Sequence, residues 1–147
     1  MSEMLSSHFS LEELTHSEIA TRKGLDNTPT PEVLANLMDL AATLERVRDL
    51  LDAPINVSSG YRSPKVNAAV GGSKTSAHCQ GFAADFIAPQ FGDPRAVCEK
   101  IRDSGLDFDQ CIYEGKWTHL SIDPKMRGQV LTAHFGNGTV TYSQGIG

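Results

Sequence analysis

The stretch that decides both fold and chemistry is residues 58–86, SSGYRSPKVNAAVGGSKTSAHCQGFAADF. Its second half contains the spaced pattern S-x-H-x-x-G-x-A-x-D, formed by Ser76, His78, Gly81, Ala83 and Asp85. An imidazole and a carboxylate therefore stand seven positions apart, separated by a glycine and small apolar residues. Small residues allow backbone segments to approach each other closely, as a compact metal site requires. The stretch predicts that His78 and Asp85 belong to one site.

A third candidate metal ligand, His119, follows much later in the run Trp117-Thr118-His119-Leu120. Catalytic zinc sites use three protein ligands and keep a fourth position for water, and His78, Asp85 and His119 would supply such a set. Zinc lowers the pKa of coordinated water to about 7 and stabilises a developing oxyanion. The pattern thus indicates a zinc hydrolase. Spacing alone also fits a buried His–Asp pair, so a metal-free structural domain remains an alternative.

Length and composition favour one ordinary globular domain, spanning residues 1–147. The chain is 39% apolar and 21% charged, with a net charge of -5. Because no basic field is available to hold phosphates, a nucleic-acid partner is not expected. No apolar run reaches the roughly 20 residues of a membrane span, so no membrane partner is expected either. Nothing in the sequence requires an oligomer, and we expect a monomer.

Residues 1–24 lack a basic segment followed by an apolar one, which predicts that no secretory signal is present. The expected location is the cytosol at synthesis, with any action on a cell wall following release. The three cysteines are an odd number without C-x-x-C spacing, so neither a disulfide framework nor a cysteine-rich zinc site is expected. Cys98 and Cys111 are predicted to pack as small apolar residues.

Capping signals and apolar periodicity place helices in the first half of the chain. Ser10 and Glu13 have the spacing of a capping box, which predicts a short helix with Leu11 and Leu14 facing inward. Thr30-Pro31 begins the strongest helix, because threonine is a good N-cap and proline suits the first helical position. Its apolar stripe consists of Val33, Leu37, Leu40, Leu44, Val47 and Leu51. Further helices are predicted at 65–70 and from Asp93-Pro94 to near Gly105, with 21–30 as a loop.

Strands dominate the second half of the chain. They are predicted at 55–59, 81–87, 110–114, 117–122, 129–135 and 139–142. His78 is expected in the loop 73–80 and Asp85 in a strand. Gly136-Asn137-Gly138 is a hairpin signal between the last two strands. Because helices come mainly first and strands last, the predicted fold class is α+β, a single domain with one antiparallel sheet and N-terminal helices.

Three motifs in order carry a resemblance to a known family. They are Ser59-Gly60-Tyr61-Arg62-Ser63-Pro64, the S-x-H-x-x-G-x-A-x-D pattern, and Trp117-Thr118-His119. Together they resemble the zinc D-alanyl-D-alanine carboxypeptidase family, which belongs with lysostaphin-type peptidases and the hedgehog signalling domain. The resemblance runs from about Phe9 to Ile122. It implies a hedgehog-like fold and Zn²⁺ bound by His78, Asp85 and His119.

The resemblance also implies roles for residues around the metal. Arg62 matches the arginine that reaches the substrate carbonyl and stabilises the oxyanion, and Ser76 matches a serine near the substrate, with loop bracing as its alternative. The usual position of the general base holds Lys116. Other members share a Tyr-Glu before a Trp-x-His strand, so Glu114 is the predicted base, and His134 is the reserve candidate.

Strand alternation adds one residue to the predicted substrate pocket. Trp117 and His119 alternate with Thr118 and Leu120, so both face the same side of their strand. Trp117 is therefore predicted to form an aromatic wall of the pocket, with core packing as the alternative.

The function that the resemblance implies is a zinc metallopeptidase acting on bacterial peptidoglycan. Members cut either the terminal D-Ala-D-Ala bond or a bond within the stem peptide, such as L-alanyl-D-glutamate. A bare catalytic domain without an export signal resembles a bacteriophage endolysin, and a host cytosolic dipeptidase with a similar N-terminus is the alternative origin. The alternative is a non-catalytic zinc domain that binds the cell wall or forms part of a virion, and Lys116 in the usual base position favours it.

Overall fold

The computed structural model describes residues 3–72, 75–136 and 139–146. Its α-helices in these ranges are α1 (Leu11–Thr15), α2 (Glu18–Lys23), α3 (Pro31–Leu51), α4 (Pro64–Ala69) and α5 (Pro94–Asp103). Its strands are β1 (Asn56–Ser59), β2 (Ala83–Ile87), β3 (Gln110–Tyr113), β4 (Thr118–Ser121), β5 (Gln129–Gly136) and β6 (Thr139–Gln144). The α+β class predicted from the sequence is confirmed. None of the helices in the described ranges combines the length and apolarity needed to cross a membrane.

The helices begin directly after the N-cap residues that the sequence predicts. Ser10 accepts a hydrogen bond from the Glu13 amide at the start of α1, and Thr30 accepts one from the Val33 amide at the start of α3. Leu14 is fully buried. The apolar stripe of α3 is likewise buried from Leu37 to Leu51, with Val33 partly buried against it. The long helix is therefore the scaffold against which the sheet packs.

One helix falls where the sequence predicted the start of a loop. Ser17 caps α2 by accepting a hydrogen bond from the Ala20 amide, and Gly24 ends the helix in the left-handed region at φ 64°. The predicted loop therefore begins at Gly24 and not at Thr21. The predicted loop 73–80 likewise contains a short 3₁₀ helix, Ala77–Gln80. Ser73 and Lys74, at the start of that loop, lie outside the described residues.

The six strands form one sheet in the order β1-β2-β4-β3-β5-β6. Four of the neighbouring pairs are antiparallel, but β3 and β5 are parallel. The prediction of a purely antiparallel sheet was therefore wrong: the sheet is mixed. The predicted β5–β6 hairpin is confirmed, whereas Asn137 and Gly138 at its tip lie outside the described residues.

The physical reason for the parallel pair lies in the connection after β4. Both edges of β4 are occupied, one by β2 and the other by β3. For this reason β5 cannot pair with β4. Instead residues 122–128 cross the end of β3, and β5 starts at the same end as β3 on its other side. Asp109 stabilises this crossing, because its carboxylate accepts hydrogen bonds from Arg127 Nε at 2.8 Å and from Nη2 at 2.9 Å.

The two faces of the sheet have different neighbours. One face carries Ala84, Phe86, Cys111 and Leu120, which are fully buried in the main core with α3 and α5. The other face carries one row of paired residues across neighbouring strands: Asp85, His119, Ile112, Leu131 and Gln144. The helices cover the first face, and the candidate ligands lie on the second. Cys98 and Cys111 are free and buried, as predicted.

We expect the Asp109–Arg127 pair to make stability depend on pH. The Arg127 hydrogen bonds lower the pKa of Asp109 in the folded chain, so the unfolded chain binds more protons at acid pH. The stabilisation is complete above the ordinary carboxyl pKa of about 4 and is lost as pH falls through the lower folded value. Asp109→Asn should reduce the free energy of unfolding by about 1–3 kcal/mol at pH 7.

Denaturant unfolding at pH 7 and pH 3 checks this expectation. The difference between wild type and Asp109→Asn should shrink at the lower pH, while Asp107→Asn, at an exposed carboxylate two positions earlier, should match wild type at both. An equal loss at both pH values would show that the charge of Asp109 is not what stabilises the crossing.

Candidate metal centre

The candidate ligands come from three separate segments that the fold brings together. Asp85 and His119 are directly opposite each other in the antiparallel pair of β2 and β4. Directly paired residues point to the same face of a sheet, so their side chains meet above it. His78 comes from the 3₁₀ helix before β2, which Ser76 caps and Gly81 ends in the left-handed region. The structure thus brings together all three predicted ligands.

The distances between the ligand atoms are short. His119 Nδ1 lies 2.9 Å from Asp85 Oδ1, and His78 Nε2 lies 3.3 Å from the same oxygen. The imidazole rings meet edge to face, with centroids 5.1 Å apart. All three candidate ligand atoms lie within 4.8 Å of one another, the one such group of three in the described part of the chain.

The donor set fits a zinc ion. Atoms about 2.0–2.1 Å from a shared tetrahedral ion are separated by about 3.3 Å, close to the spacing of these groups. Two imidazoles and one carboxylate are a ligand set found in catalytic zinc sites, and the set leaves a position open. The chemistry and spacing of the residues present therefore agree with a bound zinc.

A backbone carbonyl fixes the orientation of His78. Its Nδ1 lies 2.7 Å from the Gly60 carbonyl oxygen, a buried contact in which the imidazole N–H donates. This bond leaves the Nε2 lone pair directed toward Asp85 and the metal position. Partners of this kind hold the tautomer of a metal-binding histidine. The Gly60 carbonyl is a contributor that the sequence did not reveal, because a backbone oxygen leaves no residue-type signal.

The backbone at Gly60 is packed tightly against the Leu14 carbonyl. The Tyr61 amide donates to the Leu14 carbonyl at 2.7 Å, and a Cβ on Gly60 would overlap that same carbonyl. We expect Gly60→Ala to reduce the free energy of unfolding by about 1–3 kcal/mol and zinc affinity by about 10–100-fold. Denaturant unfolding and a zinc competition titration measure the two effects.

Gly136→Ala is the matched control, because among the described residues a Cβ there has no atom within 4 Å apart from its chain neighbours. If Gly60→Ala matched this control in both stability and zinc affinity, the close approach to Leu14 would not constrain the position of the Gly60 carbonyl.

The protonation states of His78 and Asp85 favour cation binding. Burial lowers the pKa of His78 and favours the neutral imidazole. Burial alone would raise the pKa of Asp85, but the two histidines outweigh it and hold that pKa well below its ordinary value. Burial likewise opposes charge on His119, whereas its hydrogen bond to Asp85 raises the pKa overall. In a metal-free chain a proton on His119 faces Asp85, and a bound cation would replace that proton.

Glu114 lies beside the candidate metal ligands. Its Oε2 is 3.7 Å from His119 Nδ1, and its side chain is largely buried. Burial raises the pKa of Glu114, and the charge of Asp85 adds to this, against the opposing effects of His119, Trp117 and Arg62. A carboxylate with a raised pKa at a metal site has the properties of a general base. Lys116, by contrast, lies exposed in the turn between β3 and β4.

Arg62 and Trp117 both affect the charge of this carboxylate. The Arg62 charge lowers the pKa of Glu114, while its buried Nε has no hydrogen-bond partner among the described residues. The buried indole N–H of Trp117 also lowers that pKa, although its contact with Glu114 falls short of full hydrogen-bond geometry. Two unsatisfied buried donors beside a candidate base are unusual, and a bound ligand would satisfy them.

The remaining candidates have different positions. The Ser76 hydroxyl accepts a hydrogen bond from the His78 amide at 3.2 Å, which is the bracing alternative predicted for it. His134, the reserve base, is exposed and its Nε2 lies 2.7 Å from Ser143 Oγ. By strand alternation from Leu131 it projects from the face opposite to His119, so it does not reach the metal centre.

Comparison with known proteins agrees with this geometry. A family model described as Peptidase M15 matches residues 7–121, which include every predicted ligand, Arg62 and Glu114. A comparison with curated proteins gave no match. The matched region covers most of the 147 residues and includes a metal-binding group of the kind that these metal-dependent peptidases use. The chain therefore belongs to the Peptidase M15 family, the zinc D-alanyl-D-alanine carboxypeptidase family that its motifs resemble.

Proposed function

We propose that the protein is a zinc peptidase that hydrolyses peptide bonds of bacterial peptidoglycan, with residues 1–147 forming one catalytic domain. The observation that carries the proposal is the convergence of His78, Asp85 and His119 from three segments, with Glu114 beside them. The M15 match supports a metal-dependent hydrolase.

His78 Nε2, Asp85 and His119 Nδ1 would hold the zinc. When bound, the ion supplies Lewis-acid chemistry: it makes water more acidic and polarises a carbonyl oxygen. The protein's part is to fix the ligands. The Gly60 carbonyl orients His78, and the strand pairing of Asp85 with His119 fixes the other two.

Glu114 is the proposed general base. Its carboxylate takes a proton from the attacking water and delivers it to the leaving amine as the peptide bond breaks. Its burial raises its pKa toward the working pH, which makes both proton transfers efficient. A hydrogen bond from Trp117, tightened in the substrate complex, would orient the carboxylate.

Arg62 is the proposed oxyanion-stabilising residue. Its guanidinium carries a fixed positive charge near Glu114 and His78, and its Nε–H is available for a substrate oxygen. A donor positioned before the reaction stabilises charge as it develops on the carbonyl oxygen. Trp117 would form the aromatic wall beside the scissile bond, and Ser76 would contact the substrate in addition to bracing the loop.

The finer assignments form part of the proposal. The substrate bond is either the terminal D-Ala-D-Ala bond or a stem-peptide bond such as L-alanyl-D-glutamate. We further propose that the monomeric protein acts as an endolysin, reaching the wall after release from the cytoplasm. Mass spectrometry of muropeptides released from the wall identifies the bond, and loss of turbidity in permeabilised bacteria tests the lytic role.

Digestion of purified sacculi separates the peptidase from the non-catalytic wall-binding alternative. We expect the zinc-loaded protein to release amino groups from the sacculi. Chelation should abolish this release, and added zinc should restore it. Sedimentation with the sacculi without any release of amino groups would favour the wall-binding or virion component instead.

A further inference from the structure

The β5–β6 hairpin lies beyond the region that the family model matches, which ends at residue 121. It nevertheless forms part of the face that carries the metal centre. Leu131 of β5 is level with Ile112 of β3, and Ile112 is level with His119 of β4. The surface is therefore continuous from the metal ligands to the hairpin at the sheet edge.

The next row along this face places Glu114 in line with the hairpin. Glu114 follows Tyr113, which is level with Thr132, so extending the register one residue beyond β3 places Glu114 beside Ala133. Ala133 is paired with Tyr142 of β6. Tyr142 is thus two strands from Glu114, a backbone separation of about 10 Å at the usual strand spacing. That distance is short enough for one peptide residue to contact both side chains.

The hairpin part of this face is apolar and uncovered. Ile112, Leu131 and Ala133 form a small buried cluster of their own, apart from the main core. Beside it Phe135, Tyr142 and Val140 are 59%, 54% and 44% exposed. Phe135 and Val140 are themselves a directly opposed pair. Large apolar side chains grouped on one exposed face mark a binding surface.

The charge around the hairpin limits what it can bind. Burial raises the pKa of Tyr142, and the negative charges of Glu114 and Asp85 raise it further, which places the phenol within their field. Neither β5 nor β6 contains a lysine or arginine that could pair with an acidic side chain of the substrate. Against this apolar face a carboxylate would lose hydration without gaining a cationic partner, whereas a neutral alkyl side chain would gain apolar contact.

We propose that the hairpin face of Tyr142, Phe135 and Val140 is a substrate subsite that receives a neutral, small apolar residue of the peptide next to the scissile bond. This inference rests on the proposed function. Tyr142 is its central residue, in contact with substrate and outside the proton-transfer machinery. An acidic residue of the peptide would lie away from the hairpin, on the Arg62 side.

Peptide binding to a Glu114→Gln protein tests this subsite without relying on turnover. The probe is the stem pentapeptide L-Ala-γ-D-Glu-L-Lys-D-Ala-D-Ala, which contains both candidate bonds. Trp117, the single tryptophan, reports binding through its fluorescence. Adding Tyr142→Ala should weaken Kd about tenfold, as expected for the loss of one aromatic contact. Tyr142→Phe should stay within about threefold, because the ring is retained.

Thr141→Ala is the matched control, since Thr141 is exposed on the opposite face of the same strand. It should change Kd less than about twofold. A second comparison replaces each alanine of the probe in turn by aspartate of the same chirality. One replacement should weaken binding at least about tenfold, and Tyr142→Lys should remove most of that penalty by supplying a cation.

The outcomes separate this inference from the proposed function. If Tyr142→Ala binds the pentapeptide as tightly as its parent, or if the parent binds none, the subsite is wrong, whatever the wild type does to sacculi. If the Tyr142 dependence holds but wild type releases no amino groups, the subsite stands and the peptidase proposal fails. Circular dichroism of each variant confirms that the exposed substitutions leave the fold intact.

Discussion

Replacing His119 by alanine is expected to reduce peptidoglycan hydrolysis more than about 100-fold and to remove most of the bound zinc. His119 is one of the three proposed ligands, and its Nδ1 lies 2.9 Å from Asp85 Oδ1. Without it the ion would keep two protein ligands, and the buried Asp85 charge would lose a partner. Zinc content after dialysis and release of amino groups from sacculi measure the two effects together.

His134→Ala is the control for this prediction. His134 is exposed on the opposite face of the sheet, and its Nε2 contacts Ser143, so its loss should leave zinc content and activity unchanged. If His119→Ala kept a full equivalent of zinc, this histidine would not be a ligand. If both variants lost activity equally, the effect would be a general one on the sheet.

Glu114→Gln is expected to lower kcat by about 10²–10⁴-fold while zinc stays bound. The amide keeps the size of the side chain but cannot accept the proton of water. Because Glu114 is not one of the three ligands, metal content should match wild type, which distinguishes this variant from His119→Ala. Steady-state kinetics on a soluble stem peptide and zinc analysis of the same samples check the two parts.

Glu32→Gln provides the matched control for removal of a carboxylate. Glu32 is exposed in the first turn of α3, and its substitution should change kcat less than about twofold. Full activity of Glu114→Gln would show that another group accepts the proton. Loss of zinc from the same variant would make Glu114 a ligand, contrary to its proposed role.

Local signals in the sequence were sufficient for most elements and for identifying the three candidate ligands that the fold brings together. Ser10, Thr30 and Asp93 each cap a helix through their own side chains, so these starts follow from neighbouring residues alone. His78, Asp85 and His119 were predicted from residue type and motif. Their meeting depends on the pairing of β2 with β4, which the predicted strands allowed.

What the sequence did not predict depends on long-range pairing. The parallel alignment of β3 and β5 follows from the occupied edge of β4 and from the Asp109–Arg127 bond, and neither is visible in a strand pattern. The hydrogen bond between His78 Nδ1 and the Gly60 carbonyl joins a side chain to a backbone oxygen 18 positions earlier. The row that joins Glu114 to Tyr142 exists only because β5 inserts beside β3.

Anomalous diffraction at the zinc absorption edge, from crystals of the protein purified with zinc, tests the central claim most directly. We expect one strong peak bounded by His78 Nε2, a carboxylate oxygen of Asp85 and His119 Nδ1, with Glu114 beside it and not coordinating. A map with no peak there, or with zinc held by other side chains, would contradict it.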